Sequence, residues 1–296
     1  MNFTILSDSS ANLPLSLVKH YDIRRIPLVY YVDNEELVHN EEAPDQSTHE
    51  FYERMRGGAK ASTSLPILEN IHNYLQEAFD KGKDVLYLGF STGLSGTYDA
   101  VRSAGREMVE KYPHQKFYAV DSCAASGGFG LFVLKVAQKR ESGASIEDCV
   151  RYAEELKNNI SHWFTVESLE YLKRGGRVSG TKAFAANALN IKPVLNVNYK
   201  GELIPIHNVR GRKKSLLSLA EKFDKYANEP KEEQQIVITH GDSRQDAEFV
   251  IDTLKSRYTF THEPIIDYVD PIIGAHSGPG TIALFFEADK AIFDKR

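Results

Sequence analysis

The sequence predicts an α/β fold in two parts, a parallel α/β sheet domain followed by an α+β domain. In the first half, apolar runs of strand length are each followed by a Gly/Ser loop and then a helix, the order a parallel sheet with crossover helices requires. Beyond about residue 160 that rhythm gives way to a hairpin pattern and mixed strands and helices, so the halves are set at 1–160 and 161–296. The chain is long enough for this: 296 residues, 42% of them hydrophobic, can fill one large or two ordinary domains.

In chain order, "FTILSD" reads as a strand, "LPLSLVKHY" as a helix, "IRRIPLVYYV" as a strand and "LENIHNYLQEAF" as an amphipathic helix. "VLYLGF" and "KFYAVD" are buried strands, leading through small-residue loops into "GTYDAVRSAGREMVEKY" and "GGFGLFVLKVAQKRESG". The helix "SIEDCVRYAEELKNNI" closes the first half. "SLEYLKRGGRVSG" then gives a helix stopped by glycines, and "KPVLNVNYKGELIPIHNVRG" a hairpin turning at Tyr199 to Gly201. A helix "KKSLLSLAEKFDKYA", a strand "QQIVITHG", a helix "DAEFVIDTLKSRY" and the strands "EPIIDYVD" and "GTIALFFEA" complete the chain.

Charge and composition narrow the function. A net charge of -5 and a pI near 6.1 argue against a nucleic-acid footprint. Only Cys123 and Cys149 are present and no signal-like segment precedes "MNFTILSDSS", so a cytoplasmic protein without a disulfide framework is expected. No run approaches the roughly 18 apolar residues of a membrane span. The scattered His207, His240 and His262 lack zinc spacing, and there is no phosphate-binding GxxxxGK[ST] loop, so neither a metal nor a nucleotide is expected.

Ligands of parallel sheets sit beyond the carboxyl ends of the strands. Three small-residue loops, "SDSSANL", "STGLSGT" and "DSCAASGG", meet there if their strands are neighbours. In "STGLSGT" a helix opening near Ser95 presents free N–H groups, Gly93 and Gly96 let main chain come close to a ligand, and the hydroxyls add donors without bulk. That chemistry suits an anion; the same loop also reads as a plain strand-to-helix turn with Ser95 as N-cap. "PIIGAHSGPGTIALFF" places His276 in a turn between two apolar strands. "ASTSLP" places Thr63 just before a proline that starts a helix.

In order along the chain, "SDSSANLP", "TSLP", "STGLSGTY", "VDSCAASGG", "FTVESLEYLKRGGRVS", "ALNIKPVL", "VRGRKK", "ITHGD" and "GAHSGPGT" resemble the DegV family over nearly the whole length. The resemblance implies a two-domain protein that binds a long-chain fatty acid in an interdomain tunnel and is not itself an enzyme. It also implies a role, seen in some members, as the acyl-carrying subunit of a fatty acid kinase whose ATP-dependent partner makes acyl-phosphate. By resemblance Thr63, Ser95 and His276, with the N–H groups around Gly96, hold the carboxylate. Such groups suit an ionised carboxylate, which only accepts hydrogen bonds. A tail of about fifteen methylenes at ~0.8 kcal/mol each supplies on the order of 12 kcal/mol before binding losses.

Wall candidates are Ile26, Leu28, Phe164, Leu189, Ile191, Ile273 and Phe285. Among the basic segments, Arg177 and Arg210 are placed near the entrance or on a partner-docking surface, where a guanidinium engages acyl-phosphate or acidic side chains; a solvated basic face is the plainer reading. Transient contact with a membrane surface completes the expected partners. The glycine-rich stretch 175–190, with Phe184 and Leu189, is the candidate cover over the tail. The competing reading is a serine hydrolase or acyltransferase with Ser95 as nucleophile, His276 as base and Asp121 or Asp270 as orienter. Against it, "GLSGT" has threonine where a nucleophile elbow has its last glycine.

Overall fold

The computed structural model describes residues 3–39, 45–178 and 190–288. The first half runs β1 (Phe3–Asp8), α1 (Leu15–His20), β2 (Ile23–Ile26), β3 (Val29–Val32), β4 (Glu35–Val38), α2 (Asp45–Arg56), β5 (Ala61–Thr63), α3 (Leu68–Asp80), β6 (Asp84–Gly89), α4 (Thr97–Lys111), β7 (Phe117–Asp121), α5 (Ser126–Glu141) and α6 (Ile146–Leu156). The second runs β8 (Ile160–Thr165), α7 (Glu170–Arg174), β9 (Ile191–Val197), β10 (Leu203–Arg210), α8 (Arg212–Tyr226), β11 (Val237–His240), α9 (Arg244–Lys255), β12 (Ile265–Tyr268), α10 (Pro271–Ser277) and β13 (Ile282–Glu287).

The first sheet has the order β2-β1-β6-β7, all parallel, with Ile5 opposite both Ile23 and Leu86. The second has the order β10-β9-β8-β13-β11-β12 and is mixed. Helices α3 and α4 cover the outer face of the first sheet, and α8 and α9 the outer face of the second. Helix α5 lies between the sheets and is buried along most of its length, which is why its sequence is apolar all round rather than on one stripe. Glycine is required there: a Cβ on Gly128 would lie 2.3 Å from His162 Nε2, and one on Gly130 2.1 Å from the Asn12 carbonyl oxygen. Along β13 the side chains alternate, Ile282, Leu284 and Phe286 toward α8 and α9, Ala283 and Phe285 toward α5.

The run 23–32, read as one strand, is two strands in different sheets. Pro27 cannot donate to a ladder, and Leu28 N–H turns aside to Ser9 Oγ at 3.0 Å. Beyond it stands a small antiparallel sheet, β4-β3-β5, that the sequence reading did not contain. Its hairpin turns at Asp33 and Asn34, both at positive φ (50° and 71°), as a tight two-residue turn demands. Phe51, Tyr52 and Met55 of α2 pack it against Val269 and Ala275 of the second half, and Tyr52 Oη donates to the Val269 carbonyl at 2.8 Å.

Two local readings also change. "PIIGAHS" forms α10 rather than a turn, because Asp270 accepts from Ile272 N–H (2.7 Å) and Ile273 N–H (3.2 Å) while Pro271 takes the first turn. Pro66 does not start a helix. Thr63 ends β5, and α3 opens at Leu68.

Candidate functional site

β1, β6 and β7 are adjacent in the first sheet, so the loops that follow them do meet, and Ser10, Ser95 and Ser126 line one cavity. The cavity lies between the sheets and is open at one end. Its wall is mainly apolar: Leu28 and Phe90 from the first half, Phe164, Leu172, Val197 and Phe285 from the second.

Thr63, Ser95 and His276 all line this cavity. Thr63 is brought in by pairing with Tyr30 in β3, and His276 by the last turn of α10. Thr63 Oγ1 and His276 Nε2 are 2.8 Å apart and hydrogen-bonded. Burial, reinforced by the Arg177 and Arg174 cations, pushes the His276 imidazole down to about 4, so it is neutral at pH 7 with one ring proton to donate. Ser95 is not the N-cap of α4. Gly96 holds that position, and Ser95 Oγ accepts from Thr97 N–H at 3.2 Å while sharing a 3.0 Å hydrogen bond with Thr97 Oγ1. Gly96 itself stands at the surface between two lining residues, and the helix N-terminus faces the cavity through Thr97.

Arg177 also reaches the wall, held through Nε to the Leu94 carbonyl at 3.4 Å and through its guanidinium to the Gly175 carbonyl. With Thr63 and His276 it borders a second, polar depression on the outer side, where Lys60, Arg174 and Asp33 stand. Arg210 is not part of the cavity. It ends β10, whose other end, Leu203, lines the wall; at about 3.3 Å per residue the strand is roughly 23 Å long.

Of the expected wall residues, Leu28, Phe164, Ile273 and Phe285 line the cavity. Ile26 packs under α3 in the outer core, and Ile191 starts β9 opposite Arg210, so neither reaches it. Leu189, Phe184 and most of the candidate cover (179–189) lie outside the described residues. Phe90, Leu94, Leu172, Ile272 and Ser277 were not foreseen, although Phe90, Leu94 and Ser277 adjoin Ser91, Ser95 and His276 of the signature loops.

Beneath the cavity a buried chain of hydrogen bonds ties the loops together. Ser126 Oγ donates to Asn12 Oδ1 at 2.6 Å, and Asn12 Nδ2 to Asp270 Oδ2 at 2.8 Å. Burial pushes the Asp270 and Asp8 carboxyls up to about 6.

No hydrogen bond joins Ser95 to His276 among the described residues, and neither proposed acid is bonded to that histidine. Asp121 serves Thr92 and Cys123 N–H, and Asp270 serves α10 and Asn12. Among the described residues Ser95 is thus not hydrogen-bonded to a base, as an activated serine nucleophile is. His49, Glu53 and Asp242, on the outer surface, are the set among the described residues with metal-ligand types close together. Arg56 already spans the two carboxylates, which makes the set an ion-pair cluster between α2 and the turn after β11.

The family profile described as an uncharacterised protein of the DegV family matches residues 2–289. The chain belongs to the DegV family. A DegV domain-containing protein of Clostridium perfringens is 40% identical over 97% of this chain and 98% of its own. A Thermotoga maritima protein named fatty acid-binding protein is 33% identical over 97% and 98%. A structure titled for fatty acid binding by a DegV family protein of Thermus thermophilus superposes with a TM-score of 0.86 at 29% identity, covering 97% of this chain and 100% of that one. The two-part architecture is thus the DegV fold. No helix among the described residues is long and apolar enough to cross a membrane.

Proposed function

We propose that this DegV protein is a fatty-acid carrier. It holds a long-chain acid with the carboxylate at Thr63, Ser95 and His276, beside the α4 N-terminus at Gly96, and the tail in the cavity between the two halves. The observation that carries this reading is the polar Thr63–His276 pair, 2.8 Å apart, set in the wall of a largely apolar cavity. A neutral imidazole, two hydroxyls and a helix N-terminus are donors matched to an anion, and the names of the relatives point the same way. No cofactor is part of this scheme. Native mass spectrometry of the purified protein followed by lipid extraction tests it: a long-chain fatty acid at near-unit stoichiometry is expected, and a protein that neither carries nor takes up such an acid refutes it.

The carrier then works in the cytoplasm, presenting its acid to an ATP-dependent kinase partner for acyl-phosphate formation. Separation of roles supports this. Arg177 borders the cavity and the cationic depression outside it, whereas Arg210 stands away from the cavity, where it is free to serve docking. Exposed Leu65, Ile67 and Leu68 beside Thr63 suit transient contact with a membrane surface during exchange. Arg210→Ala with a kinase subunit is the test: fatty acid retained but acyl-phosphate lost is expected, and normal turnover removes Arg210 from the scheme.

A further inference from the structure

Ser277 is the unexplained polar group of the cavity. It is 5% exposed, it lines the wall, and its Oγ has no hydrogen-bond partner among the described residues. Every other hydroxyl of the wall among the described residues has one, as Thr63 does in His276, Ser95 in Thr97, Ser126 in Asn12, and Thr281 in the carbonyls of Ser277 and Gly278. Both ring nitrogens of His162, also on the wall, are likewise used. A wall meant only for an alkyl chain gains nothing from an unpaired buried hydroxyl, which forfeits its hydrogen bond to water.

We infer that Ser277 recognises an oxygen substituent on the acyl chain close to its carboxylate, and that the site takes 2- or 3-hydroxy fatty acids alongside plain ones. The position follows from the chain. Ser277 is the residue after His276, with Cα atoms about 3.8 Å apart, and its hydroxyl is one bond from Cβ. On this proposal the first few carbons of a tail whose carboxylate sits at His276 lie beside Ser277, since both residues line the cavity. A hydroxyl there either donates to or accepts from Ser277 Oγ, whereas a hydroxyl far along the chain is out of its reach. Ser277 is then a specificity-determining residue rather than a second carboxylate clamp.

This rests on the carrier reading, and one titration series separates the two. Affinities of the whole protein and of Ser277→Ala are measured for palmitate, 2-hydroxypalmitate, 3-hydroxypalmitate, stearate and 12-hydroxystearate. The expected result is that a 2- or 3-hydroxy acid loses about fivefold to tenfold against palmitate on going from wild type to Ser277→Ala, the worth of one hydrogen bond. The 12-hydroxystearate to stearate ratio is expected to stay the same. Equal ratios in both proteins for the proximal hydroxy acids, or an equal change for the distal one, overturn the role of Ser277 while leaving the carrier intact. A wild type that binds none of the acids overturns both. Ser277→Thr, which keeps the hydroxyl, restores the ratio if the hydroxyl rather than the space is what matters.

Discussion

Thr63→Val is the sharpest perturbation of the head-group site, because valine keeps the branched shape that suits the end of β5 while deleting only the hydroxyl. Thr63 Oγ1 lies 2.8 Å from His276 Nε2, so the change removes one donor to an incoming carboxylate and also strips the imidazole of its partner. A hydrogen bond to a charged group is worth about 1.5–3 kcal/mol, which at about 1.4 kcal/mol per factor of ten is roughly 10- to 150-fold in affinity. Titration calorimetry with palmitate and with hexadecan-1-ol reads the charge dependence directly. Palmitate loses by that factor; the alcohol, whose hydrogen bonds are worth about 0.5–1.5 kcal/mol, loses no more than about tenfold. Thermal unfolding of the variant checks that its fold is kept. Undiminished palmitate binding, or equal losses for acid and alcohol, would refute the placement of the charge at Thr63.

Ser95→Ala weakens palmitate binding in the same range, and unchanged affinity removes the α4 loop from the head-group site. Gly128→Ala forces a Cβ to 2.3 Å from His162 Nε2 between α5 and the second sheet, and urea unfolding registers a loss of about 1–3 kcal/mol; a neutral outcome means α5 can shift. His276 gives the pH dependence its sign. With its folded pKa held down to about 4 against 6.5 unfolded, the unfolded chain binds more protons in that window, so stability is lost as pH falls from 6.5 toward 4, on the order of 3 kcal/mol. Asp8 and Asp270, raised to about 6, act in the opposite sense, their contribution being present below about 4 and lost as pH rises through 6. Comparing wild type with His276→Gln by denaturant titration isolates the histidine, and identical pH slopes would contradict its neutrality.

Much of the fold was legible because strands buried on both faces leave continuous apolar runs, and the loops after β1, β6 and β7 carry small polar residues at the sheet's carboxyl edge. The small sheet over 29–63 was not, since Glu35 and Glu36 of β4 are exposed and hide its period; Asp33-Asn34 was the available turn signal. α10 was hidden by apolar neighbours that look like strand, though Asp270-Pro271 announces a helix start. Wall residues are a matter of register rather than of type. Ile26 and Leu28 are two positions apart in one apolar run, yet Pro27 sends one under α3 and the other to the cavity. The parity of the chain alone could not distinguish them.

The cavity is carved out of the largest core of the molecule: Phe90, Phe164, Leu172, Val197 and Phe285 belong at once to its wall and to the cluster that joins the two sheets through α5. A bound tail would therefore act as a missing piece of that core, supplying dispersion contacts that an empty wall forgoes. Cargo at one hundred times its dissociation constant would add about 2.7 kcal/mol to the folding equilibrium, enough to shift the fraction of chains open to proteolysis by roughly a hundredfold. Such a protein's lifetime in the cell becomes a gauge of lipid supply, the unladen copies being the first to be cleared.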